Sequence, residues 1–159
     1  MNKIISLIAA GLIAVALAAT AAPTPPVFQV RLVADNPSTH SEPMELVRHS
    51  PEGTDTNVLN IDTTVLLDQR VLKSAFLERD HLGYPAISLV FTDVGAKQLA
   101  DVTRQNMGQR VAIIIYGHLY EAPYINAEIS SGGVEVSARF TLQVATDLIR
   151  KINESVAGK

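Results

Sequence analysis

The chain has 159 residues, no cysteine, no tryptophan and a formal charge of −3. That length suits one domain with a tail, large enough to bury a core without covalent staples. Absence of cysteine excludes disulfides, a thiol nucleophile, an iron–sulfur cluster, Cys-ligated zinc and lipidation through Cys, and the acidic balance argues against a nucleic-acid binder.

The N-terminus has the form of a secretory signal. Lys3 is followed by an uncharged run from Ile4 to Leu17 and then by Ala18, Ala19, Thr20, Ala21 and Ala22. Cleavage is expected after Ala21, at an A-x-A site, making residues 1–21 a cleavable leader. The alternative is an uncleaved anchor, because Ile4–Ala22 is just long enough to cross a bilayer. The protein is expected to be periplasmic or secreted, and with the leader cleaved no membrane span is expected to remain.

Residues 22–27 are a proline-rich spacer. Phe28–Val33 alternates apolar and polar residues, as a half-buried strand does. Residues 36–60 are rich in Pro, Ser, Thr, Glu and Asp and are expected to form a long loop, with a short strand at most over Met44–Val47. Val65–Asp68 is a short apolar piece, and Val71–Leu77 fits strand or helical turn. His81–Pro85 predicts a turn and Ala86–Phe91 a strand.

A helix follows, capped by Thr92 or Asp93, with Ala96, Leu99, Ala100 and Thr103 on one face and Gly108 after its end. Val111–Ile115 is a β-branched run that predicts the most buried strand. Gly117 breaks it. Leu119–Ile125 returns as a strand, with Pro123 at an edge or at the strand end. Ser130–Gly133 is a loop and Val134–Phe140 a strand. Thr141 then caps a last helix whose apolar face is Leu142, Ala145, Leu148, Ile149 and Ile152. The order predicts an α+β fold: one antiparallel sheet with two amphipathic helices packed on one face.

No residue is assigned a catalytic, cofactor-binding or metal-ligating role. His40, His49, His81 and His118 show no metal-ligand spacing, and His40-Ser41-Glu42 alone supplies too few ligands. Asp80-His81, beside Glu78 and Arg79, is a charged turn without an activated nucleophile. Ser130-Ser131-Gly132-Gly133 lacks the Gly-Lys-Ser/Thr ending of a phosphate loop, and Asn153-Glu154-Ser155 fits a glycosylation acceptor. Tyr116, Tyr120 and Tyr124 recur near the hairpin, and period two places Tyr120, Ala122 and Tyr124 on one side of a strand. With His118 they form the candidate protein-binding surface, since tyrosines offer large, rigid contact area. Ordinary half-buried sheet tyrosines are the competing reading.

An ordered set of motifs carries a family likeness. Thr92-Asp93-Val94-Gly95-Ala96-Lys97 and Thr103-Arg104-Gln105-Asn106-Met107-Gly108-Gln109-Arg110-Val111-Ala112-Ile113 come first. Ala122-Pro123-Tyr124-Ile125-Asn126, Ile129, Gly132-Gly133 and Phe140-Thr141-Leu142 follow, with Phe28–Val33, Leu67-Asp68 and Lys73-Ser74-Ala75 upstream. Together they resemble the head subdomain of the first periplasmic domain of SecD and SecDF, over residues 28–155. Two positions depart from the pattern: Tyr116-Gly117 replaces Asp-Gly at the hairpin tip, and Ala138-Arg139 stands where a glycine precedes Phe-Thr. The family uses membrane-embedded helices and the proton gradient to assist export. This chain stops soon after Thr141, so the resemblance implies the head's contact with unfolded or translocating polypeptide, or with an envelope protein, and not motor activity. Two other readings stay open: an envelope enzyme with an unrecognised site, and a secreted antagonist that mimics a SecD head.

Overall fold

The computed structural model describes residues 25–50 and 53–158. The expected leader, residues 1–21, and the start of the spacer lie outside the described residues. The elements in chain order are β1 (Phe28–Ala34), β2 (Ser41–Ser50), β3 (Gly53–Asp62) and β4 (Leu67–Asp68). After a 3-10 turn at Gln69–Val71 come β5 (Leu72–Arg79), β6 (Pro85–Phe91), α1 (Asp93–Gln105), β7 (Val111–Ile115), β8 (His118–Glu121), β9 (Gly133–Val136) and α2 (Leu142–Ala157).

The class is α+β, but the described residues form two sheets instead of the single one expected. The larger runs β3-β2-β8-β7-β1-β4, and β1 also pairs with β3 at Val33↔Ile61 and Ala34↔Asn60. That extra pairing curls it into a partly closed barrel. The pairing of β2 with β8 is parallel, at Leu46↔Leu119. The smaller sheet is β5-β6-β9, antiparallel throughout.

Two cores follow from this arrangement. Leu46, Ile61, Ala112, Ile114, Leu119 and Ala122 fill the barrel. Phe28, Val30, Ile113, Ile115, Ile87, Leu89 and Phe91 belong to the main core, with Ala145, Leu148 and Ile152 of α2. Ile113, Ile114 and Ile115 therefore alternate between the two cores. Burial on both faces is the physical reason for the unbroken apolar run of β7, four of whose five residues are β-branched.

The largest correction concerns residues 36–60. They are not a loop with a four-residue strand. β2 and β3 form a ten-residue antiparallel hairpin, paired from Ser41↔Asp62 to Ser50↔Gly53. Leu46 and Ile61 are its buried anchors, while Val58 stays exposed. Val71–Leu77 resolves into the end of the 3-10 turn followed by strand β5. The strand expected over Leu119–Ile125 ends at Glu121, before Pro123, and that expected over Val134–Phe140 ends at Val136.

Both helices start where their caps predict. Thr92 Oγ1 accepts the Gly95 N–H at 3.1 Å, and Thr141 Oγ1 accepts the Val144 N–H at 3.2 Å. α1 buries Gly95, Leu99 and Thr103, and Ala96 and Ala100 are half-buried. α2 buries Ala145, Leu148 and Ile152 against β5 and β6, but Leu142, placed on the apolar face from sequence, is 59% exposed. Gly95 of the Gly95-Ala96 motif sits against the 3-10 turn. A Cβ there would lie 2.6 Å from Val71 O and 2.7 Å from Val71 Cβ, so only glycine lets α1 approach this closely.

Candidate functional site

The four residues singled out from sequence do not share one face. Tyr116 and Gly117 form the β7–β8 turn with φ of 49° and 78°, the geometry of a tight hairpin turn in which both central residues are left-handed. The Tyr116 ring packs at the edge of the main core and lies 5.6 Å from Lys151 Nζ of α2. Burial, then the nearby Glu154 charge, pushes the Tyr116 hydroxyl above the usual tyrosine range. Tyr124 is far along the chain's return, 62% exposed, with the Arg110 guanidinium 5.5 Å from its ring centroid.

The period-two expectation fails because β8 is irregular. Its register against β7 jumps from Ile114↔Leu119 to Ile113↔Glu121, which leaves Tyr120 as an extra residue. Such a bulge reverses the alternation that follows it. Leu119 and Ala122 consequently both enter the barrel core, while Tyr120 packs against the main core.

His118 and Tyr120 are brought together, with ring centroids 6.4 Å apart, and Tyr120 packs on Phe140 at 5.2 Å. They line a groove of about 500 Å³ between β2, β8 and the start of α2, with Glu45, Val47, Arg139 and Val144. Val47 and Val144 are 36% and 42% exposed. The Tyr120 hydroxyl is also raised by burial. Sequence reading missed Val47, Arg139, Phe140 and Val144 as members of this groove. One signal was in the sequence, the departure from glycine at Ala138-Arg139: Arg139 holds φ of 51°, a left-handed conformation that glycine adopts freely, and its guanidinium lies 5.2 Å from the Tyr84 ring centroid.

A second cleft, of about 440 Å³, opens between α1, residues 121–129 and β9. Its walls include Leu99, Val102, Ile125, Ile129 and Val134. Thr103 holds the wall in place: its Oγ1 accepts the Ile129 N–H at 3.0 Å and donates to Leu99 O at 2.8 Å. Two carboxylates also line it and meet on Ser137. Glu121 accepts the Ser137 N–H, and Glu135 accepts the Ser137 hydroxyl at 2.5 Å.

Burial pushes the Glu121 carboxyl above the usual glutamate range; the Ser137 N–H opposes this and the Glu135 charge adds to it. A carboxyl whose pKa is raised by folding favours the folded state while protonated and loses that contribution as pH rises past its raised value. Glu121→Gln keeps an acceptor for Ser137 and removes the charge. It is expected to be more stable than the parent at neutral pH, with the difference shrinking as pH falls through the ordinary glutamate range of about 4.3. Urea midpoints at neutral and acid pH check this; a pH-independent difference contradicts it.

The other candidates have structural roles. Asp80 is buried, and its Oδ1 accepts the N–H groups of Leu82 at 2.9 Å and Tyr84 at 2.8 Å, closing the β5–β6 turn. His81 is exposed at that turn and His40 at the entry to β2. Among the described residues no three His, Asp or Glu side chains converge as a metal site would require. Gly132, with φ of 76°, turns the chain into β9. The Asn153 amide is committed to the backbone of Ala75, donating to its C=O and accepting its N–H, both at 2.8 Å.

A family model for the SecDF P1 head subdomain matches residues 44–155. The chain belongs to the SecDF P1 head family. SecD of Desulfurispirillum indicum is 33% identical over 135 residues, covering 76% of this chain and 26% of that protein. SecD of Leptotrichia buccalis is 38% identical over 84 residues, 53% of this chain and 21% of the relative. SecDF of Thermus thermophilus is 39% identical over 69 residues, 43% of this chain and 9% of the relative. A solved structure of SecDF, described as a membrane component that enhances protein export, superposes with a TM-score of 0.62 at 25% identity. It covers 81% of this chain and 62% of the solved one. The chain therefore spans about a quarter or less of the length of these sequence relatives. Among the described residues of this P1 head, no helix is long and apolar enough to cross a membrane.

The family gives the motif residues their place. Gly95 lets α1 meet the 3-10 turn, and Thr103 fixes residue 129. Pro123 has no N–H to offer a ladder, but its carbonyl accepts the Val111 N–H at 3.0 Å. These residues build the frame that carries both clefts.

Proposed function

We propose that this P1 head is a non-catalytic accessory domain of protein export, acting in the periplasm, that holds unfolded or translocating polypeptide. The leader at residues 1–21 would direct it there, with residues 22–27 as spacer and 28–155 as the binding domain. The observation that carries the reading is the groove of His118, Tyr120 and Phe140, rimmed by the exposed Val47 and Val144. Aromatic rings and aliphatic edges on one concave surface provide apolar contact area without demanding a fixed sequence. Tyr116 and Tyr124 lie outside this groove and are not part of the proposed contact surface.

Fluorescence anisotropy with reduced, carboxymethylated α-lactalbumin as a permanently unfolded probe tests the proposal. The unfolded probe should bind and native α-lactalbumin should not. Val144→Glu, which adds charge at an exposed groove edge, should weaken binding about tenfold while leaving the fold intact. Equal binding of folded and unfolded probe, or no effect of Val144→Glu and Tyr120→Ala, would overturn it.

A further inference from the structure

Among the described residues, strand β9 has a partner on one side only. It pairs with β6 from Ile87↔Val136 to Val90↔Gly133 and lies at the edge of its sheet. The Phe91 N–H donates to Gly132 O at 2.9 Å, which fixes the phase of this ladder. Hydrogen-bonded pairs alternate along an antiparallel ladder, so Val134 and Val136 bond toward β6. The backbone N–H and C=O of Gly133 and Glu135 then point away from it. The same phase turns the Ser137 N–H outward, where the Glu121 carboxylate meets it. The Gly133 C=O accepts the Ser131 hydroxyl at 3.3 Å, so Glu135 carries the outward pair left for a further strand.

The second cleft lies along this edge. Leu99, Val102, Ile125, Ile129 and Val134 line it, together with Glu121 and Glu135. Neither carboxylate has a basic partner among the ion pairs of the described residues. An edge strand beside an apolar trough is the arrangement into which an extended peptide adds as a strand: main-chain bonds give affinity and alternate side chains give selectivity. Two uncompensated carboxylates beside it are complementary to a cation.

We propose that the cleft beside β9 binds an extended polypeptide segment as an added strand, with apolar side chains in the trough and a Lys or Arg against Glu121 and Glu135. This shares with the groove reading the idea that polypeptide is the occupant, but it places a distinct, main-chain-directed and charge-selective site elsewhere on the head.

The test is peptide binding to the full chain, followed by fluorescence anisotropy. The probes are a fluorescein-labelled peptide of alternating valine and lysine, the same peptide with glutamate for lysine, and the lysine peptide N-methylated at alternate backbone nitrogens. The lysine peptide should bind. N-methylation and glutamate replacement should each weaken it about tenfold or more. Glu135→Pro removes the outward N–H while leaving the bonds to β6, a substitution edge strands tolerate. It should abolish binding, with circular dichroism confirming the fold and Glu135→Ala separating the loss of charge from the loss of the N–H. Glu121→Gln should lose the preference for lysine over glutamate but stay sensitive to N-methylation. Equal binding of the N-methylated peptide, parent-like binding by Glu135→Pro, or no binding of the lysine peptide overturns the proposal. If the unfolded-protein probe still binds in those cases and responds to Val144→Glu, the groove reading stands alone; if no probe binds, both fail.

Discussion

Asn153→Ala should destabilise the fold by roughly 2–5 kcal/mol, far more than a typical change on a helix surface. The Asn153 side-chain amide acts as a one-residue strand, pairing with both the N–H and the C=O of Ala75 on β5. Ala75 is 3% exposed, so truncation leaves two backbone groups without partners in a nearly dry place. Each orphaned group costs about 1–3 kcal/mol. The same pairing ties α2 to the outer edge of the smaller sheet, a position otherwise open to unwanted strand addition. Asn153→Asp is the sharper variant: it keeps an acceptor for the Ala75 N–H but sets a carboxylate oxygen against the Ala75 carbonyl. It should be at least as damaging as alanine. Urea unfolding of the three proteins measures the effect, and a loss below about 0.5 kcal/mol, the scale of an ordinary surface change, would show that Asn153 is not engaged in this way.

Ile61→Ala should cost a comparable amount, roughly 2–5 kcal/mol. Ile61 is fully buried and sits where β3 meets β1, the pairing that closes the barrel. Truncation leaves a cavity beside Leu46, Ile114 and Leu119 and weakens the one contact that bends the larger sheet back on itself. Val58→Ala, on the same strand but 57% exposed, is the matched control and should change stability by no more than about 0.5 kcal/mol. Similar losses for the two variants would contradict a closed barrel.

These two residues also show what the sequence reveals and hides. The caps at Thr92 and Thr141, the β-branched run of β7 and the left-handed turn at Gly117 are local signals, and each appears in its expected place. The β2–β3 hairpin is not local. Its strands carry Pro, Ser, Asp and Asn, poor strand formers, because much of the hairpin faces solvent. Its register depends on Leu46 and Ile61 reaching a barrel that exists only after β1, β7 and β8 assemble. The division into two sheets is hidden for the same reason: Phe28, Val30 and Leu89 share a core that no sequence window contains.

The candidate surface was legible in part. His118 and Tyr120 do line one groove, but a single bulged residue moved Tyr120 off the face of Ala122, and Tyr124 went to a different part of the surface. Bulges leave no composition signature, so period two misplaced everything after Leu119. Asn153 gives the reverse case. Its sequence neighbourhood suggested a modification site, whereas its side chain is part of the sheet.

The most direct test of the polypeptide-binding account is a photo-crosslinking amino acid at position 118, in the groove, in cells exporting a labelled precursor. The account predicts adducts with the precursor while it is crossing or unfolded, fewer adducts with Val144→Glu in the same chain, and none once the exported protein has folded. Adducts confined to folded envelope proteins, or precursor crosslinking unchanged by Val144→Glu, would contradict it.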